Sequence, residues 1–388
     1  MPTWIIKSVI PVFLPDCFAV VAWLKTLLQI VPKTPGSFDG VGDYALTLAR
    51  KLRQHFGYET IFVARNWAGS AKADGFELRP LEDQGPSRLS AAEFDHVILH
   101  YVNYGYQARG IPFALVPIVR ALRRTCRGRF LTIFHELYAS GPPWKSSFWL
   151  QPLQKRIART ITQLSSVCLV SSEGMLRQLG KLAPHTEGIV HPVLSNFGEP
   201  EISPDQIRQR DSHRWTICGG TALIERSLNS FREIKGRIPA EIAPQQLFVF
   251  GGNDSSTVRT LLLELGIQTD YRPGIASADA SSILSDSSFL WLDYFDRSDV
   301  PSEFVLKSTT FSAASAHGVI PIFPHRSSEI SVAGDRLPGP FFVEPESSEL
   351  PAPDDRAKVA ERYYDWYQRR ASSDHLARGI GRALELTA

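Results

Sequence analysis

The sequence has few cysteines, almost no net charge and no hydrophobic run of full membrane-spanning length. Its four cysteines are isolated in 388 residues, without a CxxC pair, which excludes a disulfide-stabilised scaffold and favours a reducing cytosol. The 42 lysines and arginines nearly balance 40 acidic residues, for a formal net charge of +2. Proteins that mainly bind nucleic acid usually carry a strong basic excess, so we expect no nucleic-acid partner.

The longest apolar stretch, residues 8–24, is 17 residues long and is interrupted by two prolines and Asp16. A membrane-spanning helix needs about 20 apolar residues, and a signal peptide would have a small-residue cleavage site. Three interpretations remain open: a segment lying on a membrane surface, a weak anchor, or a translation start downstream of it. We favour the third, in which residues 1–26 are a non-native extension. The protein is then expected to be cytoplasmic, with peripheral membrane contact as the second interpretation.

Short apolar runs alternate with amphipathic segments along most of the remaining chain. This alternation is typical of parallel β-sheets with helices on both faces. It pauses at residues 192–211, which are rich in proline, serine, asparagine and charge, and then resumes. The sequence therefore predicts an α/β protein with two doubly wound, Rossmann-like domains facing a central cleft. The predicted units are an N-terminal domain (27–195), a linker (196–212), a C-terminal domain (213–350) and terminal helices (351–388).

In such sheets ligands bind beyond the carboxyl ends of the strands, and glycines follow the first predicted strand. Gly40, Gly42 and Ala45 match the dinucleotide fingerprint G-x-G-x-x-G/A. The loop between the first strand and these glycines is long for a dinucleotide-binding fold. The next strand ends in Arg65 and Asn66, with no acidic residue to bind a ribose, so a dehydrogenase is a poor interpretation. Gly40, Val41 and Gly42 could instead bring backbone N–H groups to an anion, or simply form a tight turn.

A histidine follows the fourth predicted strand. His135 is expected to point into the cleft from a strand end, and the alternative is that it only holds its loop through hydrogen bonds. The neighbouring stretch 141–149 is aromatic and reads as irregular structure. We expect this stretch to line an acceptor pocket or to form a mobile flap.

The second half offers glycine-rich and basic groups after its strands. Arg226 lies in the first turn of a predicted helix, and Lys307 precedes hydroxyl residues near the start of another, so both could contact a diphosphate. The alternative for each is a solvated surface charge. The remaining candidate ligand-binding residues are Gly219, Gly220, Gly251, Gly252, Asn253, Ser308 and Thr309.

Four segments together resemble the GT-B glycosyltransferases of the family-4 type. Residues 40–52 (GVGDYALTLARKL) resemble their first loop and helix, and residues 134–136 (FHE) are similar to their cleft histidine. Residues 170–176 (VSSEGML) resemble a late strand–helix step of the N-terminal domain. Residues 313–321 (AASAHGVIP) resemble the small-residue helix and strand near their nucleotide site.

The resemblance implies a hexosyltransferase that acts with retention of configuration. A nucleotide-sugar co-substrate, a UDP- or GDP-sugar, would bind the C-terminal domain, and a saccharide or lipid-linked acceptor the N-terminal one, as in polysaccharide biosynthesis. No metal or further cofactor is implied, which fits the lack of a D-x-D triplet. Arg226 and Lys307 would stabilise developing negative charge, and His135 would bind the donor sugar. The terminal helices would cross back to the first domain.

The sequence departs from the family pattern at two glutamates, spaced eight positions apart. Aligned on Gly318, the second, which contacts the ribose, falls at Ala313, and the first falls near Val305, with Glu303 close but out of register. We carry Glu303 as a catalytic candidate. Two alternatives stay open: a nucleotide-sugar epimerase of the same fold, and a catalytically degenerate protein that serves as a binding or scaffold subunit.

Overall fold

The computed structural model describes residues 25–36, 40–67, 69–81, 93–139, 141–294 and 300–386. The residues 1–24 of the apolar extension lie outside this part of the chain. The elements of the N-terminal half are β1 (Lys25–Lys33), α1 (Gly40–Phe56), β2 (Tyr58–Asn66), β3 (Lys72–Ala73), β4 (Phe76–Pro80), β5 (His96–Tyr101), α2 (Asn103–Tyr106), α3 (Leu115–Thr125), β6 (Phe130–Phe134), α4 (Ser146–Leu164), β7 (Val167–Val170), α5 (Glu173–Leu182) and β8 (Gly188–Val190).

The N-terminal strands form an eight-stranded sheet in the order β3-β4-β2-β1-β5-β6-β7-β8. All neighbours are parallel except the short β3–β4 pair. The central strand β1 is almost wholly buried, as expected for a strand covered by helices on both faces. The chain winds outward from β1 in both directions, so a crevice opens between the carboxyl ends of β1 and β5.

The C-terminal half repeats this architecture in a seven-stranded sheet of order β11-β10-β9-β12-β13-β16-β17, in which only β17 is antiparallel. Its winding reverses between β9 and β12. Its elements are α6 (Pro204–Arg208), β9 (Arg214–Cys218), α7 (Thr221–Ile234), β10 (Gln246–Phe250), α8 (Ser256–Leu263), β11 (Gln268–Arg272), α9 (Ser277–Ser285), β12 (Phe289–Trp291), α10 (Thr309–Ala316), β13 (Ile320–Phe323), β14 (Ser331–Val332), β15 (Asp335–Arg336), β16 (Phe341–Val343), β17 (Ser348–Glu349), α11 (Arg356–Arg370) and α12 (Ser373–Glu385).

The two terminal helices tie the halves together. The Glu199 carboxylate accepts hydrogen bonds from the Tyr367 hydroxyl at 2.7 Å and from the Ser373 backbone N–H at 2.8 Å, at the step from α11 to α12. Helix α12 packs on α1 of the first domain. A Cβ at Gly381 would lie 2.3 Å from the Phe56 ring, so a larger residue here would displace that ring.

Three local expectations differ from the structure. The polar, glycine-rich residues 66–93 predict irregular structure, but their described part contains the β3–β4 hairpin. The stretch 141–149 also read as irregular, but α4 begins at Ser146. The alternation of strands and helices in the second half predicts one helix over residues 303–316. The structure divides it into a 3₁₀ turn, Ser302–Lys307, and α10, because Ser308 is extended and its side chain accepts the Phe311 N–H. No helix in the described ranges is long and apolar enough to cross a membrane.

Candidate functional site

A cavity of about 310 Å³ lies between the carboxyl edges of the two sheets. The N-terminal domain contributes the start of α1, the residue after β5 and the loop after β6. The C-terminal domain contributes Tyr294 in the loop after β12, the end of the 3₁₀ turn and the start of α10. The lining residues are Gly40, Val41, Tyr44, Val102, His135, Glu136, Val193, Tyr294, Lys307 and Thr309.

The cleft histidine is backed by a second histidine and a glutamine. Nδ1 of His100 lies 3.3 Å from Nε2 of His135, and Nε2 of His100 lies 2.8 Å from Oε1 of Gln29. An amide oxygen only accepts, so Nε2 of His100 carries the proton and its Nδ1 accepts from His135. His135 therefore has Nδ1 as its remaining acceptor. We name Gln29, His100 and His135 the histidine relay.

Both imidazoles of the relay are held neutral. Burial, together with a smaller effect of the nearby positive charge of Lys307, lowers the pKa of His135 to about 4. Burial also lowers the pKa of His100 well below its usual range, with a smaller contribution from His135. The Tyr44 ring packs edge-on against His135, with ring centroids 5.0 Å apart. The ring of His135 is thereby held by contacts on two sides.

On the opposite wall, Lys307 is the basic side chain among the described residues that line the cavity. Burial lowers the pKa of its ammonium, and the charge of Glu136 acts against this shift. The lysine ends the 3₁₀ turn, and Thr309 begins α10 directly after the Ser308 cap. The structure thus places a half-buried amine and the start of a helix side by side, which is a favourable arrangement for an anion.

Arg226 does not line the cavity but holds its edge. The guanidinium donates to the backbone carbonyl oxygens of Asp293 at 2.7 Å and Tyr294 at 3.0 Å. Tyr294 lines the cavity, and burial raises the pKa of its phenol to about 12. Arg226 is therefore connected to the cavity through the backbone of Tyr294, which lines it.

The glycines after β9 and β10 mainly pack two loops against each other. Gly219, Gly251 and Gly252 have φ values of +136°, +95° and +58°. A Cβ at Gly251 would lie 2.6 Å from the Gly219 carbonyl oxygen, and one at Gly252 equally close to the Thr221 nitrogen. The Asn253 N–H donates to the Thr221 hydroxyl at 2.8 Å. A Cβ at Gly220 would meet nothing within 4 Å.

The two glycines at the start of α1 also differ in how closely other atoms approach them. A Cβ at Gly42 would lie 3.1 Å from the Cα of Pro35, so Gly42 serves close packing, whereas one at Gly40 would meet nothing within 4 Å. A second cavity, of about 630 Å³, shares Gly40, Tyr44 and Thr309 with the first and extends along α1 towards the linker. Gly40 and Val41 thus lie where a ligand could approach the backbone.

Glu303 lies at a contact between the domains. Its carboxylate accepts from the Gly174 backbone N–H at 3.1 Å and from the Arg177 guanidinium at 2.9 Å, at the start of α5. A Cβ at Gly174 would clash with this carboxylate. Glu303 does not line the cavity, so its observed contacts hold the domains in place.

The aromatic residues of 141–149 also lie away from the cavity. Trp144 and Trp149 are 83% and 70% exposed. The residues that sequence reasoning missed are Tyr44 and Glu136, and the two that support His135 from behind, Gln29 and His100. Glu136 directly follows His135 and Tyr44 lies near Gly42 along the chain, whereas Gln29 and His100 lie inside β1 and β5. Only the fold shows that these residues meet. Among the described residues, no group of three acidic, histidine or cysteine side chains could hold a metal ion.

Comparisons with known proteins agree with this architecture. No family model and no curated protein matches the sequence. WaaG, a glycosyltransferase involved in lipopolysaccharide biosynthesis, superposes with a TM-score of 0.56 at 11% identity, covering 93% of this chain and 100% of that one. An alpha-glucosyltransferase in complex with UDP-glucose and DNA containing an abasic site gives 0.55 at 11% identity, covering 93% and 99%.

The chain has the GT-B fold. The expected class, two doubly wound domains around a cleft, is therefore confirmed. A putative UDP-N-acetylglucosamine 2-epimerase from Listeria monocytogenes also superposes, with a TM-score of 0.51 at 10% identity, covering 93% of this chain and 95% of that one. At such identities the similarity concerns the fold, and GT-B architecture accommodates both kinds of chemistry.

Proposed function

We propose that this GT-B protein is a glycosyltransferase, moving a sugar from a UDP- or GDP-sugar to a saccharide or lipid-linked acceptor. The observation that carries the proposal is the cavity between the domains, with His135 on one wall and Lys307 on the other. Among the solved structures that it resembles, one is an alpha-glucosyltransferase in complex with UDP-glucose and DNA, and another is named a putative UDP-N-acetylglucosamine 2-epimerase. We further propose retention of configuration and no requirement for a metal ion.

The proposed roles follow from the positions of the groups. When the bond from the anomeric carbon to the diphosphate oxygen breaks, its electron pair leaves with the diphosphate. The ammonium of Lys307 and the start of α10 at Thr309 would stabilise that negative charge. Arg226 would position the Tyr294 edge of the cavity, and the loops at Gly219, Gly220, Gly251, Gly252, Asn253 and Ser308 would frame the donor.

On the acceptor side, Gly40 and Val41 would bring backbone to the reacting sugar, with Gly42 shaping the turn. The neutral His135 would accept a hydrogen bond from a sugar hydroxyl at Nδ1. Glu303 would keep the domains at the separation that the reaction needs, through Gly174 and Arg177. This replaces direct catalysis by Glu303 with a positioning role.

A second candidate is a nucleotide-sugar epimerase. One specific observation favours it: His135 and Glu136 line the same cavity, and proton transfer at a sugar carbon needs such a pair of acid and base. A scaffold protein without turnover is the third possibility. The three differ in what happens to a nucleotide sugar, so one experiment distinguishes them.

The test follows UDP- and GDP-sugars by proton NMR with the purified chain and without added metal. A transferase releases free sugar slowly to water, and retention predicts that the first anomer formed has the donor's configuration. An epimerase changes the sugar while it stays on the nucleotide, and a scaffold leaves the donor intact. Lys307→Ala should lower the release rate about 10²–10³-fold, whereas the exposed Lys358→Ala should not. A donor that stays intact under all these conditions contradicts the proposal.

A further inference from the structure

One part of the N-terminal domain carries a net positive charge because it has almost no acidic residues. Residues 97–172 contain ten lysines and arginines and a single acidic residue, Glu136, although the whole chain is only +2. The rest of the chain is therefore net acidic. This segment supplies β5, β6 and β7, which are adjacent and parallel, so α3 and α4 lie on the same face of the sheet. The two helices pack against each other.

Exposed aromatic side chains lie at the same face. Trp144 and Trp149 at the start of α4 are 83% and 70% exposed, and Phe113 before α3 is 55% exposed. Residues 149, 153, 156 and 160 of α4 follow a spacing of three and four and form one stripe along the helix. In this stripe the apolar Trp149 and Leu153 come first, and the exposed Arg156 follows.

Helix α3 shows the same order. Phe113 and Pro117 precede Arg120 and Arg124 at the same spacing, and all four are exposed. Because both helices run opposite to their parallel strands, their aromatic ends lie at the carboxyl edge of the sheet, near the cleft. Their arginine ends lie towards the other edge. We name this surface, formed by residues 113–124 and 144–159, the aromatic–basic face.

An apolar cavity adjoins this face and plays no part in the proposed reaction. It has a volume of about 630 Å³, and its lining includes Tyr106, Ile111, Phe113 and Ile118, with Arg65 as the charged side chain among the described lining residues. Exposed apolar surface of this kind is typical of an interaction site. The combination with arginines on the same helices specifies the chemistry of the partner.

We propose that the aromatic–basic face docks on an anionic lipid bilayer. Tryptophan is favoured at the boundary between headgroups and acyl chains, since it has an apolar body and a polar N–H. Arginines next to it would pair with lipid phosphates. Docked in this way, the protein would hold the mouth of its cleft near the membrane, where a lipid-linked acceptor would lie. Binding itself does not depend on the proposed reaction.

The test is co-sedimentation of the full chain with vesicles. We expect binding to vesicles of equal parts phosphatidylcholine and phosphatidylglycerol, little binding to phosphatidylcholine alone, and loss of binding at 0.5 M salt. Arg156→Gln with Arg159→Gln should weaken binding about 25-fold, at roughly fivefold per arginine. The matched control Arg362→Gln, exposed on α11, should bind as the unchanged chain does.

A second pair of variants tests the aromatic contribution. Trp144→Ala with Trp149→Ala should weaken vesicle binding at least tenfold, whereas Leu263→Ala, an 86% exposed leucine on the other domain, should not. Circular dichroism confirms that each variant folds. Binding that survives both double variants would overturn the proposal, because another segment would then carry it. Equal binding to neutral vesicles, or tighter binding to a single-stranded oligonucleotide than to anionic vesicles, would overturn it as well.

Discussion

The histidine relay makes a quantitative prediction about stability, because two of its members have no access to water. Gln29 and His100 are both 0% exposed. Gln29→Leu would leave the Nε2–H of His100 without an acceptor. His100→Leu would leave both Oε1 of Gln29 without its donor and the Nε2–H of His135 without its acceptor. An unsatisfied buried polar group costs about 1–3 kcal/mol, whereas replacing both partners by apolar groups can be nearly neutral. We therefore expect Gln29→Leu to lower the free energy of unfolding by about that amount, and His100→Leu, which leaves two groups without partners, to lower it by more.

The double variant distinguishes a real pair from two independent sites. Gln29→Leu combined with His100→Leu should cost less than the sum of the single costs, by about 1–3 kcal/mol. Urea unfolding followed by circular dichroism measures this coupling. Tyr101→Phe is the matched control, since the buried Tyr101 hydroxyl has no hydrogen-bond partner in the part of the chain described, and its loss should cost nothing. Strictly additive costs would refute the relay as drawn.

Two further predictions concern the helices that join the domains and a buried histidine. Gly381→Ala should destabilise the protein by about 1–3 kcal/mol, because the new Cβ would meet Phe56. Gly379→Ala in the same helix has open space around it and should stabilise the protein slightly. Thermal unfolding compares the two variants. Burial lowers the pKa of His317 to about 4, so the unfolded chain binds a proton first as the pH falls from about 6.5 to 4. The stability that neutral His317 contributes above pH 6.5 therefore falls by about 2 kcal/mol between pH 7 and pH 5. Urea unfolding of His317→Gln should show a correspondingly smaller loss, and an unchanged pH dependence would contradict this reasoning.

Much of the fold follows from local pattern. Buried parallel strands such as β1 and β6 are short apolar runs, and the amphipathic α1 shows its period directly in the sequence. The β3–β4 hairpin was missed because its strands have two and five residues and lie in a polar, glycine-containing stretch. The break at Ser308 was missed because an N-cap inside a helical period depends on one residue's backbone.

The candidate site was predictable only in part. His135 follows strand β6, and Lys307 shortly precedes helix α10. Positions at the ends of strands and helices can be recognised in the sequence. Whether a charged group at such a position meets a ligand or another part of the chain depends on tertiary contacts. Glu303 illustrates this, since its partners Gly174 and Arg177 are about 130 residues away. The net charge of the whole chain does not reveal the aromatic–basic face, because acidic residues elsewhere in the chain offset its positive charge.

The central claim is that the cavity between the domains binds a nucleotide sugar through Lys307. The most direct test is thermal unfolding of the purified chain with UDP, GDP, ADP, dTDP and their sugars, compared with Lys307→Ala and the control Lys358→Ala. A ligand at 100 times its dissociation constant adds about 2.7 kcal/mol to the stability of the native state. We predict a higher unfolding temperature with one nucleotide family, lost in Lys307→Ala and kept in Lys358→Ala. No shift with any nucleotide, or a shift that Lys307→Ala retains, would contradict the claim.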